Sequence, residues 1–215
     1  MNSKIDNVEL IEEYIKQGKM YAELDELFKR VLKTDFYAGL TLDMNQSPIT
    51  AAIKVLNPSQ VMGESKFRLK QLQNMIAQRI NVPSSNVEVI FEKIEDKRLC
   101  PEYYAEMIRQ AFMENKPHKK IINSAFRAVD AAKGQGCSIK ISGKLRGQRA
   151  KSTNYIHGVL IQAGQPAKDY IRLAKSEAMC KQGVIGIQVK IMLPYDPEGV
   201  KGPSKLLSDK IIVRQ

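Results

Sequence analysis

The sequence predicts an α+β fold arranged in two domains, and three observations carry that expectation. Apolar residues recur at helical spacing in some stretches and alternate with polar residues in others. The character of the chain changes at IEDKRLC, residues 94–100, just ahead of Pro101, a residue suited to the first position of a helix. Charge divides at the same place. Residues 1–98 hold 14 basic and 14 acidic side chains, whereas residues 99–215 hold 20 basic and 9 acidic and so carry the whole formal charge of +11.

In the first domain, Leu24, Leu27, Phe28, Val31 and Leu32 sit at helical spacing and predict a helix over residues 20–33. Gly39 to Met44 reads as a short strand. After Pro48, Ile49, Ala51, Ile53 and Val55 alternate with Thr50, Ala52 and Lys54 in a second strand, which Asn57-Pro58 ends. Leu69, Leu72, Ile76 and Ile80 mark a helix over 66–80, and Val87, Val89 and Phe91 alternate with Glu88 and Glu92 in a third strand. The order is helix, strand, strand, helical region, strand. Residues 1–18 are acidic at Glu9, Glu12 and Glu13 and give no guide to their role.

The second domain opens with a helix through Tyr104, Ile108, Ala111 and Phe112, closed by Asn115 and Pro117. A further helix from 118 to 132 buries Ile121, Ile122, Ala125, Phe126 and Val129 and turns Lys119, Lys120, Asn123 and Arg127 away from that stripe. Ile139 and Ile141 alternate with Ser138, Lys140 and Ser142 in a strand; a second extended run covers Tyr155 to Ile161. Residues 167–181 read as a helix through Tyr170, Ile171, Ala174 and Ala178. Ile187, Val189, Ile191 and Leu193 mark the last strand, and the Pro-, Gly- and charge-rich tail is expected to lie extended on a partner.

Several function classes are excluded. With 215 residues and 43% hydrophobic content the chain has enough material for a real core and is not composed like a disordered one. No apolar run approaches the roughly 18 residues needed to span a bilayer, and MNSKIDNVEL lacks the apolar stretch of a signal peptide. Membrane contact and secretion are not expected. Cys100, Cys137 and Cys180 form no CxxC pair, so free thiols in a reducing compartment are expected rather than a zinc site or a disulfide framework. His118 and His157 have no acidic or thiol neighbours at metal spacing. The run from Gly136 to Gly143-Lys144 lacks Walker spacing, with Leu145 where a magnesium-binding Ser or Thr belongs, and Gly134-Gln135-Gly136 lacks the third glycine of a dinucleotide fingerprint. No catalytic residue, metal or cofactor is expected.

Binding is better supported. Residues 116–151 hold ten basic side chains and one acid, Asp130. Such a stretch repels itself without anions, so a polyanion is the natural partner, and nucleic acid is the commonest. Lys116, Lys119, Lys120 and Arg127 are candidates to address phosphates about one helical turn apart. The segment SGKLRGQRAKS, Ser142 to Ser152, interleaves Lys144, Arg146, Arg149 and Lys151 with two glycines and no acid. Small residues let a backbone approach closely, and guanidinium groups grip phosphates bidentately. In the first domain, the turn Gly63-Glu64-Ser65-Lys66, with Arg68 just beyond, can hold a nucleic-acid backbone at a helix start.

SGKLRGQRAKS, followed by GVIGIQVKIMLPYDP (Gly183 to Pro197), closely resembles the eukaryotic and archaeal form of the universal third protein family of the small ribosomal subunit. The resemblance covers about Tyr21 to Leu206. It implies an N-terminal type II KH-like domain and a second α/β domain with a mixed sheet and packed helices. The division so expected is an N-terminal extension over 1–18, the KH-like domain over 19–96, the second domain over 97–194 and an extended tail over 195–215. It further implies a structural, non-enzymatic protein binding small-subunit rRNA in the head, mRNA where it enters the subunit, and neighbouring ribosomal proteins. The implied location is the cytoplasmic ribosome, with passage through the nucleus and nucleolus during assembly in a eukaryote. A basic pair that faces incoming mRNA in the family matches Lys119 and Lys120, where lysine keeps the charge and loses the planar fork of arginine. The family's Gly-x-x-Gly loop matches Gly63 to Lys66, with Lys66 in place of the second glycine. Two alternatives are a stand-alone KH-type RNA regulator, disfavoured by 7% aromatic content and no Trp, and a DNA-damage-processing activity of the kind relatives carry, for which no distinctive nucleophilic lysine stands out.

Overall fold

Helix α1 (Asn2–Val31) opens the chain as one 30-residue element, which begins well ahead of the helix expected over residues 20–33. It holds no proline and a single glycine, Gly18, among residues of good helix propensity. Asp25 pairs with Lys29 at 2.5 Å and Glu26 with Arg30 at 2.9 Å, both at i,i+4. Lys29 and Arg30 in the last turn also suit the negative end of the helix dipole. The computed structural model describes residues 2–145, 147–199, 201–207, 211 and 213. Two units are distinguished, Met1–Glu95 and Asp96–Gln215. No helix among the described residues is long and apolar enough to cross a membrane.

In the first unit α1 is followed by β1 (Gly39–Asp43), β2 (Ile49–Val55), α2 (Pro58–Met62), α3 (Phe67–Ile80) and β3 (Val87–Lys93). The order is the expected one, with the helical region resolved into two helices. Strand β2 is central, antiparallel to β1 and parallel to β3. A parallel neighbour needs a crossover, and α2 and α3 supply it. Pairing Leu40 with Ile53 and Ile53 with Phe91 aligns apolar side chains on one face. Leu24 and Phe28 of α1 and Leu72 and Ile76 of α3 close the core over that face. The Gln73 amide donates to the carbonyls of Ser84 (2.8 Å) and Val87 (2.7 Å), tying α3 to the start of β3.

The second unit contains α4 (Pro101–Met113), α5 (His118–Ala131), β4 (Gly136–Gly143), β5 (Lys151–Gly158), α6 (Gly164–Tyr170), β6 (Ile171–Cys180) and β7 (Gly183–Met192). Strand order is β5-β4-β7-β6, every pairing antiparallel. Cys137, Ile139 and Ile141 of β4 and Ile185, Ile187, Val189 and Ile191 of β7 face a core completed by Ile108 of α4 and Ile122, Ala125 and Val129 of α5. Glu106, buried on α4, is held by the Arg109 guanidinium, whose Nε donates to both carboxylate oxygens at 2.8 and 2.7 Å. A buried charge is tolerable only when paired in this way.

Three expectations are corrected here. Residues 171–180, expected inside a helix over 167–181, form strand β6, and only Gly164–Tyr170 is helical. Ala174 and Ala178, four apart, satisfy a helical stripe, yet they also share one face of a strand. Pairing along the whole of β7, from Ile171 opposite Met192 to Cys180 opposite Gly183, decides for the strand. The mixed sheet expected in the second domain belongs to the first unit. Lys181 and Gln182 join β6 to β7 so tightly that the two must run antiparallel. The tail, expected extended over 195–215, turns back over its described part. The Asp196 amide donates to the Pro203 carbonyl (3.2 Å), the Lys201 amide to Asp196 Oδ2 (2.9 Å), and the Tyr170 hydroxyl to the Lys205 carbonyl.

Candidate nucleic-acid interface

Chain direction brings the basic residues of the second unit together. Helix α5 ends beside the start of β4: the Gly134 amide donates to the Val129 carbonyl (2.9 Å) and the Gln135 amide to that of Met192 (3.0 Å). A helix rising about 1.5 Å per residue and a strand rising about 3.3 Å then run back along one another. Consequently the first turn of α5, with Lys119 and Lys120, lies at the end of the unit where β4 stops and the 144–150 connection begins. Leu145 anchors that connection to the core. Lys144, Arg149 and Lys151 are exposed there. Arg146, the remaining candidate of the segment, lies outside the described residues.

Strand register adds a residue that the sequence reading missed. Ser142 pairs with Gly186, and Gly186 with Glu177, so the β6–β7 turn carrying exposed Lys181 falls at the same end. The misread helix over 167–181 hid it. Exposed Lys116, at the α4–α5 turn, pairs with Glu114. Arg127 is exposed two turns along α5. Asp130, the single acid of residues 116–151, sits in the last turn of α5, about 15 Å from the first. It meets His157 Nε2 at 2.8 Å. Within residues 116–151, therefore, the lysines of the first turn of α5 and of the 144–151 connection lie at one end and the single acid at the other, while Glu114 and Glu177, outside that segment, lie at the cationic end.

The first turn of α5 holds no acidic residue and no side-chain cap. Lysines beside the positive end of a helix dipole are unfavourable by about 0.3–1 kcal/mol each at low salt. Lysines grouped at the positive end of a helix dipole suit an anion.

In the first unit, the turn between α2 and α3 has a special backbone. Gly63 has φ +69, and Ser65 and Lys66 have φ +53 and +59. Lys66 therefore adopts the left-handed conformation in which a glycine is cheapest, although it carries a side chain. Holding a non-glycine residue there costs about 1–2 kcal/mol. Lys66→Gly is expected to stabilise this unit by about 0.5–1 kcal/mol in urea unfolding, after the entropy cost of glycine is deducted. Destabilisation would instead mean that the Lys66 side chain holds the turn. Phe67, the next residue, is 66% exposed and was passed over in the sequence reading; an exposed aromatic beside a cation is a stacking platform for a base. Arg68 is engaged elsewhere, its Nη2 lying 2.8 Å from buried Asp35 Oδ2 without the alignment of a hydrogen bond. Glu64 and Ser65 are exposed in the same turn.

No group of three or more His, Cys, Asp or Glu placed to hold a metal occurs among the described residues. Burial pushes the thiols of Cys100 and Cys137 up to about 12, which leaves both unreactive as nucleophiles. His118 stacks on Phe112 and His157 on Phe126, with ring centroids 4.7 and 5.2 Å apart.

The family described as "Ribosomal protein S3, C-terminal domain" matches residues 108–191. Over 205 residues, covering 95% of both chains, the sequence is 44% identical to the small ribosomal subunit protein uS3 of Encephalitozoon cuniculi (strain GB-M1).

Proposed function

The chain belongs to the small ribosomal subunit protein uS3 family, and on that premise we propose that it binds small-subunit rRNA in the head through the basic end of its second unit and contacts mRNA there as it enters. Its role is structural, and it turns over no substrate. One observation carries the reading: Lys119, Lys120, Lys144, Arg149, Lys151 and Lys181 converge at one end of the unit, where they outnumber Glu114 and Glu177. Lys119 and Lys120, at a helix start without an acid, are assigned to incoming mRNA. The 144–151 connection is assigned to rRNA, together with Arg127 and Lys116. In the first unit, assigned as the type II KH-like domain over 19–96, Gly63 to Lys66 offers a left-handed turn with one cation, and Phe67 offers a ring. Arg68 acts there by bracing the turn against Asp35. Further partners are neighbouring ribosomal proteins; the place of action is the cytoplasmic ribosome, after assembly in the nucleolus where the cell has one.

An mRNA carrying 4-thiouridine downstream of the decoding site, bound to subunits that contain the tagged chain, tests the assignment. Cross-links are expected on peptides spanning Lys119–Lys120. Cross-links from those peptides to rRNA alone would overturn the mRNA assignment. A tagged chain found only free of small subunits in a sucrose gradient would overturn the whole reading.

A further inference from the structure

The N-terminal part of α1 differs in chemistry from everything that follows it. Residues 1–18 hold two basic side chains, Lys4 and Lys16, and four acidic ones, Asp6, Glu9, Glu12 and Glu13, in a chain whose formal charge is +11. Along the helix, Leu10 and Tyr14 stand on the same line as Tyr21, Leu24 and Phe28, at alternating steps of four and three. From Tyr21 onward that line is occupied: the Tyr21 hydroxyl donates to the Leu40 carbonyl (2.9 Å), and Leu24 and Phe28 are buried in the core. Further toward the N-terminus it is exposed, with Leu10 at 49% and Tyr14 at 67%, as are Ile11 at 57% and Ile15 at 66% on the adjacent line. Four large apolar side chains in adjacent turns form a patch, unlike a lone exposed Leu. A helical stretch of this length without tertiary cover is marginal in water, so whatever covers the patch also stabilises the helix.

Charge selects the occupant. Exposed Glu12 and Glu13 flank the patch; against RNA they would face phosphates, and against the same helix of a second copy they would face each other. We propose that this segment is a docking helix for a basic protein neighbour within the small subunit. The neighbour presents an apolar groove to Leu10, Ile11, Tyr14 and Ile15, and a Lys/Arg rim to Glu12 and Glu13, the helix-in-groove mode of recognition. The proposal rests on the chain's place in the small subunit.

The test uses the full chain carrying a photoreactive benzophenone side chain at position 14, in purified small subunits irradiated and analysed by mass spectrometry. A covalent adduct with one ribosomal protein richer in Lys and Arg than in Asp and Glu is expected. Glu12→Lys combined with Glu13→Lys should lower that adduct about tenfold, each reversed rim charge weakening docking about threefold, while Glu12→Asp with Glu13→Asp should leave it. An adduct to rRNA, to a second copy or to an acidic protein overturns the proposal, as does no adduct from subunits that contain the chain. Absence of the chain from the subunits would sink the premise instead, and the proposal with it.

Discussion

Replacing Lys119 and Lys120 together by alanine is expected to weaken RNA binding about ten- to a hundredfold at low salt while raising the stability of the second unit by about 0.6–2 kcal/mol. The opposite signs have one cause. Both side chains are exposed in the first turn of α5, where no acid and no side-chain cap offset the positive end of the dipole. Without RNA they oppose the helix; with RNA, on the proposed assignment, they neutralise phosphates and release counterions. Each single-strand phosphate contact adds about 0.7 to the log–log slope of affinity against salt, so losing two lowers the slope by about 1.4. Fluorescence anisotropy with a short single-stranded RNA across a KCl series, beside thermal melts of the same variant, reads both quantities. An unchanged slope would show that the pair does not face phosphates. A loss of stability of 1 kcal/mol or more would show that the pair belongs to the fold's own scaffold.

Local periodicity made most elements legible, because burial in this protein follows the period of each element closely. Ile49 to Val55 alternates and is β2; Leu72 and Ile76 recur at helical spacing and are buried in α3. Periodicity failed where both periods fit the same residues, as with Ala174 and Ala178, and there the ladder with β7, a contact between segments, decided the outcome. The candidate interface divides in the same way. Charge density along residues 116–151 was visible in the sequence, but three of its consequences depend on the path of the chain: Lys120 and Lys144 share an end, Asp130 lies away from them, and Lys181 joins them. Arg68 shows the limit from the other side. Its charge was legible, whereas Asp35, the partner that engages it, lies 33 residues earlier and is brought near only by folding. At Lys66 the sequence revealed a missing glycine, and the fold retains the left-handed turn regardless.

Gly136→Ala is expected to destabilise the second unit by about 3 kcal/mol, lowering its melting temperature by about 10 °C. Gly136 opens β4 opposite Gly158 at the end of β5. A Cβ there would stand 2.7 Å from the Val159 nitrogen and closer still to its carbonyl oxygen. These are backbone atoms and cannot swing aside as a side chain can. Gly158, at φ +74, is crowded in return by the Gln135 carbonyl. The close approach lets the Val159 amide donate to Gln135 (2.9 Å), while the Gln135 amide donates to Met192 (3.0 Å), so one point ties β5, β4 and β7 together. Gly147→Ala, in the basic connection, meets nothing within 4 Å and should change stability by less than about 0.5 kcal/mol. Because Gly136 lies at the end away from Lys119 and Lys120, its variant should keep the normal salt slope of RNA binding at temperatures well below its melting point. The lysine pair moves the slope without lowering the melting point, and Gly136 lowers the melting point without moving the slope. If Gly136→Ala lowered the slope in the fully folded protein, the separation of a structural end from a binding end of this unit would be wrong.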